Sequence, residues 1–76
     1  MKTKMKVYGR KQNCQFCTAT KAYLDMNNAE YEFIDVDENE DAKEYIKGLG
    51  FMSLPVVETE DDVWSGFDPA RLSKYV

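Results

Sequence analysis

Seventy-six residues bound this chain to one domain, near the lower limit of what a single core stabilises without staples. An apolar content of 43%, including one Trp, five Tyr and four Phe, argues against disorder, and no apolar run approaches the roughly 20 residues of a membrane span. A net charge of −4 argues against nucleic acid as a partner, so the expectation is a monomer with neither a membrane nor a nucleic-acid partner. Met1-Lys2-Thr3-Lys4-Met5-Lys6 is basic, but no long apolar segment or small-residue cleavage site follows it. It therefore does not read as a signal peptide, and the cytoplasm is the expected location.

In chain order, Met5-Lys6-Val7-Tyr8 alternates apolar and polar side chains and predicts a strand that Gly9 ends. Arg10 to Asn13 reads as a loop, with Asn13 as N-cap of a helix from Gln15 to Asn27. Ala19, Ala22, Tyr23 and Met26 would form that helix's buried face, widened by Phe16 and Leu24, and Asn27-Asn28 would stop it. Tyr31 to Val36 predicts a second strand with Tyr31 and Phe33 on one face and Ile34 and Val36 on the other. Both faces are apolar, as in a sheet covered on each side by helices. A second helix starts near Asp37 to Glu40, buries Ala42, Tyr45, Ile46 and Leu49, and ends at Gly48 or Gly50. Pro55 to Glu58 and Asp62 to Trp64 read as a hairpin, in which Trp64 packs. Asp68-Pro69 then opens a short last helix carrying Ala70, Leu72, Lys74 and Tyr75. The order is β-α-β-α-β-β-α, an α/β chain with a parallel pair formed by the first two strands. Tyr8, Tyr31 and Tyr45 are expected in the core.

Cys14-Gln15-Phe16-Cys17 holds the only two cysteines, between the first strand and the first helix. A thiolate at a helix start faces unpaired N–H groups and the positive end of the dipole, which favour the anion. The second cysteine lies one turn along, within reach of a mixed disulfide on the first. This spacing predicts a redox dithiol with Cys14 as nucleophile and Cys17 as resolving thiol. Other readings stand beside it: a structural bridge closing too small a loop to constrain much, a zinc site short of ligands in a chain with no His, or two inert thiols. The first 24 residues carry Lys2, Lys4, Lys6, Arg10, Lys11 and Lys21 and no acid, whereas all fourteen acids lie beyond them. Such cations near the thiols would favour the thiolate and steer an acidic partner; the plainer reading is a solvated lysine-rich flank.

Three segments carry a resemblance to a known family: Cys14-x-x-Cys17 followed by Lys21-x-x-Leu24, Gly50-Phe51-Met52-Ser53-Leu54-Pro55-Val56-Val57, and Trp64-Ser65-Gly66-Phe67. Over Met5 to Tyr75 the chain resembles the thioredoxin fold in its minimal glutaredoxin form, and the last two segments are similar to the NrdH-redoxin family. That resemblance implies a four-stranded mixed sheet with the first strand central, helices on both faces, and a cis peptide at Leu54-Pro55. It further implies a thiol–disulfide oxidoreductase that takes electrons from thioredoxin reductase and passes them to ribonucleotide reductase; exchange between two thiols and a target disulfide is itself expected to need no metal or organic cofactor.

The matching positions carry specific expectations. Pro55 would bend the chain beside the thiols and leave the Leu54 backbone free to bind an extended target, although proline also simply tolerates the start of a strand. Ser65, Gly66, Phe67 and Asp68 read either as substrate contacts or as a turn, a packing residue and a helix cap. Asp68 stands where that family often has arginine. Glutathione-using glutaredoxins resemble this chain there, and also at Lys11 and Phe16, so glutathione is the alternative reductant. A further alternative is an iron–sulfur-binding glutaredoxin-like module, and another is an interaction domain with idle thiols.

Overall fold

The computed structural model describes residues 5–76; the expectations for Lys2 and Lys4 lie outside the described residues. Strands β1 (Lys6–Gly9), β2 (Glu32–Asp35), β3 (Val56–Glu58) and β4 (Val63–Ser65) form a mixed sheet in the order β2-β1-β3-β4. β1 runs parallel to β2 and antiparallel to β3, and β3 and β4 make the hairpin. Helices α1 (Gln15–Met26) and α2 (Glu40–Gly48) fill the crossovers, and α3 (Pro69–Leu72) tightens into a 3₁₀ turn over Ser73–Tyr75. No helix among the described residues is long and apolar enough to cross a membrane.

Side-chain alternation along each strand divides the core in two. Met5, Val7 and Val57 join Leu24 of α1, Trp64 and Leu72 on one face, with Phe33 packed against them. Tyr8 and Val56 join Val36 and the α2 residues Ala42 and Ile46 on the other, with Ile34 and Val63 alongside. β2 is therefore apolar on both faces because each face meets a different helix layer. Leu24 and Leu72, both at 0% exposure, each contribute about 1.5–3 kcal/mol of burial.

Two helix faces differ from the sequence expectation. In α1 the buried residues are Cys17, Thr20 and Leu24, while Ala22 is exposed and Met26 is 83% exposed. The helix is turned so that Thr20 faces inward. Its hydroxyl donates to the Phe16 carbonyl at 2.8 Å, which removes the penalty for burying it. Phe16 itself projects outward. In α2, Ala42 and Ile46 are buried, but Tyr45 and Leu49 are each more than 40% exposed. That helix begins after Asn39, whose side chain accepts from the Ala42 N–H at 3.1 Å, and Gly50 takes the left-handed turn (φ 92°) that follows it.

Tyr45 stays at the rim because its ring lies 5.7 Å from that of Tyr8 and its hydroxyl donates to Glu58. Tyr8 donates to the other carboxylate oxygen of Glu58 at 3.3 Å. Burial, and then the Glu58 charge, push the Tyr8 hydroxyl up to about 12 from its ordinary 10.0. Half-buried Tyr31 is likewise pushed up to about 12, by burial and by its bond to Asp25. Below pH 10 both phenols are protonated whether folded or not. Between pH 10 and 12 the unfolded chain releases protons that the folded one retains, so stability falls as pH rises. Denaturant unfolding measured across that window should show this decline, and Tyr8→Phe should make it shallower. An identical slope in the variant would refute the assignment.

Candidate functional site

Because β1 and β2 run parallel, the loops that leave them lie at the same end of the sheet. The loop after β1 leads into α1 through Asn13, whose backbone is left-handed (φ 57°). That turn delays the helix start by one residue, so the N-cap is Cys14 and not Asn13. Cys14 Sγ accepts the backbone N–H of Cys17, the third residue of the helix, at 3.2 Å. The sulfur thus occupies the place that a Ser or Asp oxygen holds in an ordinary N-cap.

The two sulfurs are joined as a disulfide, with Cα atoms 5.2 Å apart. They sit in different surroundings. Cys14 is partly exposed, whereas Cys17 has 0% exposure. Cys17 lies under the end of β1, where its Sγ accepts the Arg10 N–H at 3.5 Å. A Cβ on Gly9 would stand 2.8 Å from that sulfur, so the strand passes this close only because the residue is glycine. Sequence reasoning took Gly9 as a strand terminator and missed this contact. The signal available was a glycine in a strand just ahead of a buried cysteine.

Of the cations near the thiols in sequence, Arg10 and Lys11 point elsewhere, in keeping with the plainer of the two readings. Arg10 Nε pairs with Asp37 at 3.2 Å and Lys11 Nζ with Glu38 at 3.7 Å, both across to the loop that follows β2. These are exposed pairs of small energy, but they direct both side chains toward carboxylates. What the structure places on the sulfurs is backbone N–H, one on each.

The other predicted residues divide between this corner and the core. Leu54-Pro55 is cis, as the resemblance implied. In the β1–β3 register Tyr8 faces Val56, which carries buried Pro55 to the level of Gly9. The Pro55 carbonyl accepts the Gly66 N–H at 2.7 Å, drawing the Ser65–Gly66 turn (Gly66 φ 89°) in beside it. Leu54 is half-buried against the α2-side core, and among the described residues its backbone N–H and C=O have no partner. Phe67 is also half-buried, edge-on to Tyr23 at 6.2 Å, and packs on the α1-side core. Asp68 caps α3 by accepting the Arg71 N–H at 3.2 Å and pairs with the Arg71 guanidinium at 3.4 Å. Ser65 is exposed, as is Phe16 at 56%. Trp64 is buried in the hairpin, stacked 6.2 Å from Tyr75. Among the described residues no three His, Cys, Asp or Glu side chains are grouped to hold a metal ion.

The chain that carries this arrangement, an N-capping sulfur bonded to a buried partner one turn on with a cis proline at the level of Gly9, is similar to known proteins. Residues 5–64 match the Glutaredoxin family model, a span that includes Cys14, Cys17 and Pro55 and stops short of Ser65–Asp68. Over 68 residues the chain is 38% identical to the glutaredoxin-like protein NrdH of Salmonella typhimurium, covering 90% of this chain and 83% of that protein. It is similar in structure to the glutaredoxin-like NrdH-redoxin of Escherichia coli, described with a thioredoxin-like activity profile. The TM-score is 0.91 at 34% identity, over 96% of this chain and 95% of the other. A glutaredoxin from Archaeoglobus fulgidus gives a TM-score of 0.77 at 25% identity, over 96% of this chain and 85% of that one.

Proposed function

This chain belongs to the glutaredoxin family and is a dithiol–disulfide oxidoreductase, and on that premise we propose that it is a cytoplasmic redoxin carrying electrons from thioredoxin reductase to protein disulfides such as that of ribonucleotide reductase. The observation that carries the division of labour is the unequal setting of the two sulfurs. Cys14 is reachable and holds the N–H of Cys17, while Cys17 is sealed beneath Gly9.

In the reduced protein the same N–H and the helix dipole favour the Cys14 thiolate. That anion attacks one sulfur of the target disulfide, the target bond breaks, and one target thiolate leaves and takes a proton from solvent. Cys17, deprotonated in turn, attacks Cys14 Sγ and releases the second target thiolate. Two electrons pass to the target and the Cys14–Cys17 bond forms, which is the state of this structure. No metal or organic cofactor enters the cycle. The unpaired backbone of Leu54 offers a short ladder to an extended target segment beside the sulfurs.

The thioredoxin-like profile described for the Escherichia coli relative favours thioredoxin reductase over glutathione as the electron source. Asp68 caps α3 and Lys11 faces Glu38, but both engagements are exposed and of small energy. The oxidised protein should be reduced by NADPH with thioredoxin reductase and then reduce an acceptor disulfide. Glutathione with glutathione reductase should support little turnover. Turnover with glutathione alone would replace this reading with that of an ordinary glutaredoxin.

A further inference from the structure

The resolving step asks Cys17, a thiol with 0% exposure, to ionise in a chain that has no His. A thiolate there has lost its hydration, and the Arg10 N–H at 3.5 Å is a long contact to set against that loss. On α1, Cys17, Thr20, Lys21 and Leu24 follow at the spacing of the inward stripe. Three of them are buried, and half-buried Lys21 is the charged member. Its ammonium does not turn to solvent: Nζ lies 4.3 Å from the centroid of the Phe33 ring. Among the described residues Lys21 has no ion pair. Phe33 is also the ring beside the buried sulfur, since a Cβ on Gly9 would meet Cys17 Sγ and Phe33 Cε1 together. Helical side chains lean over the turn N-terminal to their own Cα, which for Lys21 is the turn that carries Cys17.

We propose that Lys21 is a positioning residue for the resolving step, its ammonium held over Phe33 so that an unpaired positive charge stabilises the Cys17 thiolate. The inference rests on the dithiol reading above, but not on which reductant supplies the electrons. In that step the Cys17 thiol gives its proton to solvent and its sulfur attacks Cys14 Sγ. The Cys14–Cys17 bond forms, the bond from Cys14 to the target breaks, and the electron pair leaves with the target thiolate. The other charged groups on this side of the sheet do not supply the cation. Arg10 is turned to Asp37 and Lys11 to Glu38, and Cys14 carries no charge while bonded to the target. On β2, alternation places Tyr31 and Asp35 on the face of Phe33. Tyr31 donates to Asp25 of α1, and half-buried Asp35, which accepts the Asp37 N–H, opposes a second anion nearby. β3, β4 and α3 bring Val57, Trp64 and Leu72 to this core, with Arg71 and Tyr75 beyond them against the Trp64 ring. Lys21 is thus the positive charge left to serve the buried sulfur.

The test mixes chemically reduced protein with an equal amount of dithiobis(nitrobenzoate), a small symmetric disulfide. Cys14 attacks it and frees one thionitrobenzoate; Cys17 then attacks Cys14 Sγ and frees the second, and stopped-flow absorbance reads the two releases in turn. Because thionitrobenzoate leaves readily, the pH profile of the second release follows the ionisation of Cys17. Lys21→Met keeps an unbranched apolar stem and removes the charge. It should move the midpoint of that profile up by about one pH unit and slow second release about tenfold below it, with first release within about twofold of the parent. Lys21→Arg, which keeps a cation able to lie over Phe33, should restore the profile. Lys74→Met, in the 3₁₀ turn after α3, should leave it unchanged. A midpoint that stays put in Lys21→Met would overturn the proposal even with a lowered Tm, since Lys21 would then only cover the ring. A shift that arginine fails to reverse would overturn it too. Release of a single thionitrobenzoate by the parent protein would instead remove the dithiol reading, and this proposal with it.

Discussion

Cys14→Ser should lower disulfide reduction by about a thousandfold or more, to the background of free thiol exchange, whereas Cys17→Ser should fail at a different step. Serine at the N-cap retains a hydrogen-bond acceptor for the Cys17 N–H, so the helix start survives and the loss is chemical and not structural. Without the Cys14 sulfur the remaining thiol is at 0% exposure and has no path to a protein disulfide. Cys17→Ser keeps the outer sulfur, so it should form the mixed disulfide in the first half-reaction and then stop. Intact-mass measurement should find the adduct with one target molecule on Cys14, released only by added small thiol. Equal activity of the two variants, or an adduct on Cys17, would reverse the assignment of roles.

The sequence made some of this arrangement readable and concealed the rest for identifiable reasons. Alternation in β2 was legible because Tyr31 and Phe33 fall on one core and Ile34 and Val36 on the other, and each side has enough apolar area to register. The dithiol was legible because two cysteines at that spacing before a helical pattern leave few chemical alternatives. The inward turn of α1 was hidden because Thr20 counts as polar until its hydroxyl is seen to close on the Phe16 carbonyl. The N-cap was misplaced because Asn13 is the better capping residue on propensity alone. Its left-handed backbone places it outside the helix and gives the role to Cys14. Whether Arg10 and Lys11 serve the thiols or a solvated flank stayed open in the sequence because the acids they pair with lie more than twenty residues away in it. Only the parallel pairing of β1 with β2 brings Asp37 and Glu38 beside them.

Gly9→Ala tests whether the close passage of β1 over the buried sulfur is functional. The added methyl would sit 2.8 Å from Cys17 Sγ, 3.3 Å from Cys17 Cβ and 3.3 Å from the Phe33 ring. β1 cannot move aside in the plane of the sheet, since β2 and β3 pair with it on either side. Relief must therefore come from lifting the first turn of α1 or from rotating Cys17, and both pull its sulfur away from the Arg10 N–H. Overpacking of this kind costs about 1–3 kcal/mol. For a domain of this size each kcal/mol lowers Tm by roughly 4–8 °C. The kinetic consequence is separable from the thermal one. Cys14 is not in the contact, so where Cys17 relieves it by rotating its side chain and its N–H stays on Cys14 Sγ, formation of the mixed disulfide should proceed near its normal rate, while its resolution by the displaced Cys17 slows. Acid quenching during turnover should then trap more mixed disulfide in Gly9→Ala than in the parent protein. A variant with an unchanged Tm and no such accumulation would show that the sulfur has room to spare. A lowered Tm without accumulation would mean that Gly9 serves packing alone.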